Sequence, residues 1–530
     1  MNVPLTPVRF LYRGVDLFGK KVGVVCGDKR FTYAQFGDRC ERLATGLQAH
    51  GIRPGDRVAY LSFNNHQLLE GYYGVVMARG VVMPLNVRLT AAELTGILNH
   101  SGARMLIFEN DFAPLVDALR KACPAIERFV TIDERTSTAD LTYEALISSG
   151  RLERVDYTSF DENATAELFY TSGSTGTPKG VMLSHRTLYL HGLSVATTYN
   201  PEDHATVELH TIPLFHANGW GRPQVATMLG IKQVMVRRFE PSTVFRLIQD
   251  ERATSMALVP TMANALLNAS DLGRHDYSSL KYIYIGGAAA SSELIDRMER
   301  AFHCQVLGGY GLTETAPVAT SAHDKSTVQF SDEADRLLHR SMAGWPLPAN
   351  EIRVVDLHMN DVPRDMQSIG EVVIRGDNVM DGYYKDPDGT EVVMTGAWLH
   401  TGDMAVWDEE SYIHIVDRKK DIIISGGENI SSIEVEKAIF AHPSVFECAV
   451  VSAPDQKWGE IPVAFVVVKP GENLTQEELC AFLQERIARF KVPRAVEFVN
   501  VALPKTGTGK IIKRELRERF WAGKGRRVQG

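Results

Sequence analysis

The sequence has 530 residues, 44% of them hydrophobic and 23% charged, with a net charge of −8. This length predicts several domains or subdomains, and this composition is typical of a soluble globular protein. There is no run of about 18 uncharged apolar residues and no apolar core of a signal peptide, so neither a membrane span nor secretion is predicted. Six cysteines without metal-site spacing favour reduced thiols and a cytoplasmic location.

The first 150 residues alternate between strand and helix patterns. Residues 23–27 with Arg30–Phe31 predict a hairpin, and Thr32 with Gln35 forms a capping box for a helix that runs to His50. Further strands are predicted at 57–63, 80–86 and 104–109, and further helices at 66–78 and 90–101, the second of which is capped by Thr90 with Glu93. Such alternation is typical of α/β units around a largely parallel sheet.

A segment rich in glycine and hydroxyl groups, YTSGSTGTPKG, occupies Tyr170–Gly180. The apolar residues before it predict a short strand, and a helix is predicted to start near Ser184. A strand that leads into such a loop offers backbone N–H groups and hydroxyls to an anion, and Lys179 adds a positive charge. A Walker A sequence is absent, because Gly180 and not a hydroxyl residue follows Lys179. The segment therefore predicts a phosphate site of another kind.

Alternation resumes after this loop, with strands predicted at 233–238, 255–260, 281–287 and 304–310. After about residue 340 the pattern changes to short strands separated by turns, which predicts a β-rich subdomain. Helices and strands alternate again from Ile433, and a boundary is predicted at Arg418–Asp421. Alternation by itself thus predicts an α/β fold with a boundary near residue 420.

The C-terminal residues 481–530 are strongly basic. They contain 13 Lys and Arg against 4 Asp and Glu, a balance of +9, so the remainder of the chain carries −17. A basic tail is compatible with nucleic acid, an acidic membrane surface or a polyphosphate ligand, and equally with a solvated helix face. No RNA- or DNA-reading module accompanies it, so nucleic acid is not a predicted partner.

Further segments carry residues suited to nucleotide and acyl chemistry. They are PLFHANGW (213–220), YIGGAAA (284–290), GGYGLTET (308–315), LHTGD (399–403), DRKKDIIISGGENI (417–430) and PKTGTGKIIKREL (504–516). Each alone is equally compatible with a turn, a core histidine or a surface lysine. Together and in order, YTSGSTGTPKG, GYGLTE, TGD and PKTGTGK resemble the adenylate-forming superfamily of acyl-CoA synthetases, peptide-synthetase adenylation domains and beetle luciferases. The resemblance covers about residues 20–520.

The resemblance implies a domain organisation and a reaction. A large N-terminal domain, residues 1–419, would contain parallel-sheet α/β subdomains plus a β-rich subdomain. A small mobile α+β lid domain, residues 420–530, would follow, with its hinge near Lys420. Members join a carboxylic acid to the α-phosphorus of ATP and release pyrophosphate, and usually the thiol of coenzyme A then displaces AMP. The implied cofactors are ATP, Mg²⁺ and coenzyme A.

The resemblance also assigns residues to the nucleotide. The β- and γ-phosphates would bind to the loop residues Thr171, Ser172, Gly173, Ser174, Thr175, Gly176 and Lys179. Thr313 would contact the α-phosphate, and Glu314 would hold Mg²⁺ with help from Thr171. Tyr310, followed by Gly311, would stack on adenine.

Other assignments concern the far side of adenine, the ribose and the lid. The backbone of Gly287 and Ala288 would lie opposite Tyr310. Asp403 would accept both ribose hydroxyls, and Arg418 would contact the ribose. Lys510 would bridge the acyl carboxylate and the α-phosphate. Rotation about Lys420 would then remove Lys510 and bring Gly426 and Gly427 to the pantetheine tunnel.

The predicted reaction is that of an acid–CoA ligase. An amino-acid adenylation domain carries an aspartate where this chain has His216, and a non-enzymatic regulator would be expected to lack Lys510 or Glu314. A luciferase-like oxygenase is an alternative, because that branch of the superfamily shares the Phe215–His216 pair. A homodimer is one expectation for the assembly.

The predicted acid pocket combines small and apolar residues. Its candidate residues are His216, which is also a catalytic candidate, Trp220, Gly287 and Ala288. The pocket segments contain no Lys or Arg to pair with a second carboxylate, and burying an unpaired charge is costly. A medium- to long-chain fatty acid is therefore predicted, with an aryl acid of the benzoate or cinnamate type or a short branched acid as alternatives.

Overall fold

The computed structural model describes residues 3–134, 137–171, 178–198, 206–426, 428–505 and 511–521, without the side chain of Asn429. Two compact units are present. The first comprises Met1–Glu351 and Ile374–Leu399, and the second comprises Ile352–Val373 and His400–Gly530. The second unit thus begins earlier in the chain than residue 420, and the hinge near Lys420 stays a prediction.

The first unit contains a nine-stranded sheet. Its strands, in spatial order, are Trp345–Pro346, Val318–Ser321, Gln305–Gly311, Tyr282–Ile285, Ser255–Leu258, Val207–His210, Lys232–Met235, Val22–Cys26 and Lys29–Thr32. Six consecutive strands, from Gln305–Gly311 to Val22–Cys26, are parallel, and antiparallel pairs close both edges. The hairpin predicted near residue 25 is confirmed as one of those edges.

An eight-stranded sheet lies in the same unit. Its strands, in spatial order, are Gly382–Tyr383, Lys179–Ser184, Thr165–Thr171, Val81–Pro84, Arg57–Leu61, Met105–Phe108, Arg128–Thr131 and Leu141–Thr142. The last six are parallel. The strand Lys179–Ser184 is absent from the sequence predictions, although the helix predicted near Ser184 does begin there, with the Ser184 side chain as its N-terminal cap.

Helices cover and separate these sheets. In the first unit they are Val8–Phe18, Tyr33–Ala49, His66–Met77, Ala91–Ser101, Ala113–Ala122, Tyr143–Ser149, His185–Ala196, Arg222–Leu229, Pro241–Glu251, Pro260–Leu267, Ser292–Phe302, Glu333–Ser341 and Pro387–Val393. The capping boxes predicted at Thr32 and Thr90 are both formed. Every residue of His66–Met77 is buried, as expected of a helix that packs on all sides.

The second unit has the small α+β character that was predicted. Its last sheet contains Glu428–Ile430, Ile423–Ser425, Gly459–Val468, Val445–Asp455 and Ala495–Phe498, beside the helices Ser432–Phe440, Gln476–Gln484 and Lys513–Trp521. The short strands predicted after residue 340 are found as Asn350–Val355, Gly370–Gly376, Ile413–Arg418 and Ile423–Ser425. Met394–Thr395 and Trp398–Trp407 are further strands that the sequence did not predict. None of the helices in the described residues is both long and apolar enough to cross a bilayer.

Candidate active site

The glycine-rich segment starts and ends on two paired strands of the eight-stranded sheet. Thr165–Thr171 and Lys179–Ser184 run antiparallel, and Thr171 lies opposite Lys179. Two predicted phosphate-binding residues are therefore neighbours at one end of a strand pair. The other predicted residues of the segment, Ser172, Gly173, Ser174, Thr175 and Gly176, lie outside the described residues.

A tyrosine outside the predicted motifs, Tyr383, joins Lys179 to Glu314. The Nζ of Lys179 lies 4.4 Å from the centre of the Tyr383 ring, and the Tyr383 hydroxyl donates to Oε1 of Glu314 at 2.9 Å. The Nζ of Lys179 is also 3.4 Å from Oδ2 of Asp386. Both a cation over an aromatic face and a hydrogen bond to a carboxylate are favourable. The predicted phosphate-binding lysine and metal-binding carboxylate are thus linked through one side chain.

Glu314 lies on a turn that follows the strand Gln305–Gly311. A Cβ atom on Gly311 would lie 1.8 Å from the carbonyl oxygen of Pro317, so only glycine fits there. The residues Thr313–Thr315 then form a single 3₁₀ turn. The carbonyl oxygen of Glu314 accepts the N–H of Met380 at 2.8 Å, which fixes the main chain of the turn.

Tyr310 and Gly287 lie at the carboxyl ends of two neighbouring strands of the nine-stranded sheet. The strands Tyr282–Ile285 and Gln305–Gly311 are parallel neighbours, and open α/β sheets bind ligands at the carboxyl ends of such strands. Gly287 has a φ of +76°, which favours glycine. Ala288 beside it is exposed. The three residues predicted to contact adenine are therefore at the carboxyl ends of two adjacent parallel strands.

His216 and Trp220 flank a turn with left-handed backbone geometry. Ala217, Asn218 and Trp220 have φ values of 43°, 45° and 65°, and this conformation costs about 1 kcal/mol or more at each such residue. Asn218 is fully buried, and its Oδ1 accepts the N–H of Gly221 at 2.6 Å. Buried polar contacts therefore stabilise a turn that its backbone preferences oppose.

The indole of Trp220 lies against the backbone that follows the strand Tyr282–Ile285. A Cβ atom built on Gly286 would lie 3.2 Å from Cη2 of Trp220, and one on Gly287 would lie 3.6 Å from Cζ2. A larger residue at Gly286 would force the ring to move. Two of the segments predicted to line the acid pocket are thus in contact.

His216 lines a cleft in the first unit. The cleft is formed by Pro84, Leu85, Asn86, Leu89, Ile97, Tyr170, Phe215 and His216. The Tyr170 hydroxyl lies 2.7 Å from Nδ1 of His100, which fixes the tyrosine directly before Thr171. The predicted catalytic histidine therefore lines a cleft beside the start of the glycine-rich segment.

A buried carboxyl, Glu167, holds the turn that carries Trp220. Its Oε2 accepts from Nδ2 of Asn218 at 2.9 Å, and its Oε1 accepts from Nε2 of Gln224 at 3.0 Å. Burial raises the pKa of Glu167 to about 8, although both hydrogen bonds act in the opposite direction. The carboxyl therefore keeps its proton at neutral pH. Glu167 is absent from the sequence predictions, because a lone glutamate in an apolar strand forms no motif.

The variant Glu167→Gln should become more stable than the wild type as the pH rises. The folded chain keeps the Glu167 proton up to about pH 8, whereas an unfolded glutamate releases it near 4.5. The wild type therefore loses stability between these values, by at most about 1.4 kcal/mol per pH unit. Glutamine at position 167 does not titrate. After the side-chain amide of Gln224 flips, its Oε1, which has no partner among the described residues, can accept the N–H of the new glutamine.

Melting temperatures at pH 5 and pH 8.5 measure this effect. The difference between Glu167→Gln and the wild type should grow by several degrees toward the higher pH. The exposed residue Glu409 supplies the control variant Glu409→Gln, for which no such growth is expected. Parallel pH profiles for Glu167→Gln and the wild type would contradict the assignment of a buried proton to this carboxyl.

In the second unit, Asp403 and Arg418 lie opposite each other on paired strands. Nε of Arg418 is 3.2 Å from Oδ1 of Asp403, whose side chain is 6% exposed. The N–H of Asp403 donates to Oγ1 of Thr401 at 3.1 Å. Between them, Gly402 has a φ of +67°. A carboxylate held in this way can accept further hydrogen bonds, which is the property predicted for ribose binding.

The main chain of Lys420, the predicted hinge, is held by Arg517 of the helix Lys513–Trp521. Nη1 of Arg517 donates to the carbonyl oxygen of Lys420 at 3.1 Å and forms an ion pair with Asp421. The Arg517 side chain is buried. A buried cation therefore holds Lys420 and Asp421, two and three positions after Arg418. Arg517 carries no sequence signal beyond its place in the basic tail.

Gly426 is required by close packing within the second unit. Its φ is +62°, and a Cβ atom there would lie 2.7 Å from Cε3 of Trp458. The Gly426 N–H also donates to the carbonyl oxygen of Trp458 at 2.8 Å. The other two predicted residues of this unit, Gly427 and Lys510, lie outside the described residues.

Comparison with known proteins agrees with these features over nearly the whole chain. Residues 12–384 match the AMP-binding enzyme family, and residues 434–510 match the AMP-binding enzyme C-terminal domain. A long-chain-fatty-acid–CoA ligase of Thermus thermophilus is 40% identical over 522 residues, which cover 96% of this chain and 95% of that protein.

Two further similarities point to the same family. A feruloyl-CoA synthase of Amycolatopsis sp is 38% identical over 502 residues, or 93% of this chain and 95% of that protein. The crystal structure of an anthranilate–CoA ligase in complex with anthranoyl-AMP superposes with a TM-score of 0.88 at 25% identity, covering 98% of each chain. The chain therefore belongs to the AMP-binding enzyme family, and within the adenylate-forming superfamily it is an AMP-forming acyl-CoA synthetase.

Proposed function

We propose that this enzyme activates a medium- to long-chain fatty acid with ATP and transfers the acyl group to coenzyme A. The observation that carries the choice of acid is the lack of charge in the pocket segments around Trp220 and Gly287. The nearest cation along the chain, Arg222, is buried in an ion pair with Glu208 at 2.5 Å. A second carboxylate on the substrate would therefore be buried unpaired, at high cost. The Thermus thermophilus relative, named for long-chain fatty acids, supports this choice.

The residues of the first unit fit a nucleotide with Mg²⁺. The described residues contain no cluster of three metal-binding side chains, and Mg²⁺ commonly binds through one or two carboxylates plus substrate phosphates. Glu314, with Oε1 bound to Tyr383, suits that role, and Thr171 is proposed to assist it. Lys179 would bind the β- and γ-phosphates with residues 172–176, and Thr313 would contact the α-phosphate. When bound, Mg²⁺ would neutralise charge on the phosphates.

The adenosine and the lid complete the proposal. Tyr310 would stack on adenine, with Gly287 and Ala288 opposite it. In the second unit, Asp403 would accept the ribose hydroxyls, with Arg418 beside it.

Lys510 would bind the acyl carboxylate and stabilise the charge that develops on the α-phosphate oxygens during adenylation. Rotation about Lys420 would then exchange Lys510 for the loop that contains Gly426 and Gly427, so that coenzyme A can reach the acyl adenylate. His216, which lines the cleft beside Tyr170, is proposed to contact the acyl end of the adenylate.

An aryl acid is the second candidate substrate. The indole of Trp220 offers a flat wall against Gly286 and Gly287, and planar rings stack well on such walls. The feruloyl-CoA synthase of Amycolatopsis sp is nearly as similar to this chain as the Thermus thermophilus relative. Trp220 could therefore contact either an aliphatic tail or a ring.

A panel of acids with ATP and coenzyme A tests the proposal. We expect kcat/KM to rise from acetate to octanoate by roughly two to four orders of magnitude, because each buried methylene contributes about 0.8 kcal/mol. Benzoate, ferulate, malonate and phenylalanine complete the panel, and AMP release and the acyl-CoA product are both measured. Faster turnover of ferulate than of octanoate would select the aryl candidate. A preference for acetate, malonate or phenylalanine would contradict the uncharged pocket.

A further inference from the structure

Tyr383 occupies a position that touches two proposed phosphate-site residues from different parts of the first unit. It lies on the strand Gly382–Tyr383 at the edge of the eight-stranded sheet, opposite Val181. Its ring faces the ammonium group of Lys179, and its hydroxyl bonds Glu314. The side chain is buried.

The backbone around Tyr383 is fixed by the segment that follows it. The N–H of Tyr383 donates to Oγ1 of Thr390 at 2.8 Å, and the Thr390 hydroxyl donates to the carbonyl oxygen of Asp386 at 2.8 Å. The Asp386 side chain accepts the N–H of Gly389 at 2.9 Å and so caps the helix Pro387–Val393. Hydrogen bonds therefore hold the backbone that carries the Tyr383 ring.

The hydroxyl of Tyr383 acts as a donor. A phenol keeps its proton at neutral pH, and the Tyr383 hydroxyl lies 2.9 Å from Oε1 of the Glu314 carboxylate, which can only accept. A neutral donor on Oε1 fixes the rotation of the Glu314 carboxylate. The bond leaves the second carboxylate oxygen, Oε2, without a hydrogen bond from the described residues.

We propose that Tyr383 is a positioning residue for adenylate formation, with two separable effects. Its hydroxyl orients Glu314 toward Mg²⁺, and its ring face, together with Asp386, holds the Lys179 ammonium at the start of the phosphate site. One side chain thereby sets the spacing between the cation and the metal-binding carboxylate. This inference rests on the proposed roles of Lys179 and Glu314.

Two substitutions separate the two effects. Tyr383→Phe removes only the hydroxyl. We expect the Mg²⁺ concentration that gives half-maximal activity to rise by about tenfold or more, as is typical when a group that supports a metal ligand is lost. The KM for ATP should change less than threefold. Tyr383→Leu also removes the aromatic face, and it should raise the KM for ATP as well. Tyr384→Phe, which removes the hydroxyl of the adjacent residue, is the matched control and should leave both quantities unchanged.

Binding is measured independently of turnover. Mn²⁺ is titrated by its electron paramagnetic resonance signal into wild type and variants with a non-hydrolysable ATP analogue, and Tyr383→Phe should bind it about tenfold more weakly. Thioester formation from a supplied acyl adenylate should be unaffected, which separates this effect from general damage to the fold. If Tyr383→Phe binds Mn²⁺ as tightly as the wild-type enzyme does, the inference is overturned. The proposed function still stands in that case, provided that the wild-type enzyme is active. Absence of acid-dependent ATP–pyrophosphate exchange in the wild type would overturn both.

Discussion

Lys510→Ala is expected to abolish acyl adenylate formation while sparing thioester formation from a supplied acyl adenylate. In the proposed function this lysine, which ends the PKTGTGK motif, stabilises the charge that develops on the α-phosphate. Loss of a fixed donor at such a charge costs about 3–4 kcal/mol, or roughly 10²–10³ in rate. The second half-reaction transfers the acyl group to a thiol and, in the proposed cycle, takes place after Lys510 has left.

The same motif supplies the control for this experiment. Lys505 carries an identical charge, but its Nζ forms an ion pair with Glu447 at 2.5 Å. Lys505→Ala should therefore keep the adenylation rate within a few-fold of the wild type. ATP–pyrophosphate exchange measures the first half-reaction, and acyl-CoA formed from synthetic acyl adenylate measures the second. Equal losses of both in Lys510→Ala would exclude a lysine that leaves the site between steps.

Lys420→Pro is expected to preserve pyrophosphate exchange and to reduce acyl-CoA formation by about a hundredfold or more. Proline fixes φ near −65°, so a residue that must change its backbone conformation between the two steps could no longer do so. Arg517 binds the carbonyl oxygen of Lys420 and the carboxylate of Asp421. A rotation would therefore move this segment together with the helix Lys513–Trp521.

Lys420→Ala is the matched control, because the contact of Arg517 is to the main chain and survives the loss of the side chain. It should retain both half-reactions, which attributes the effect of proline to backbone freedom. Rapid-quench measurement of acyl adenylate and acyl-CoA in single turnovers separates the two rates. Unchanged rates in Lys420→Pro would place the hinge at another residue.

The sequence by itself determined the features that depend on near neighbours in the chain. The capping boxes at Thr32 and Thr90 join residues three positions apart, and both are formed as predicted. The alternation of strands and helices predicted α/β units around a largely parallel sheet, and the structure contains two such sheets in the first unit. The ordered motifs identified the superfamily, since each encloses its functional residues within a few positions.

The tertiary structure decided the contacts between distant residues, which leave no local pattern. The glycine-rich segment joins two antiparallel strands, because Lys179–Ser184 pairs with Thr165–Thr171 on one side. On its other side the same strand pairs with Gly382–Tyr383. Glu167 meets Asn218 across 51 positions, and Tyr383 meets Glu314 across 69. A buried glutamate or tyrosine has the same local sequence whether its partner is water or another side chain. Only the packing of the sheets shows which partner is present, and therefore which residues hold the proposed site in place.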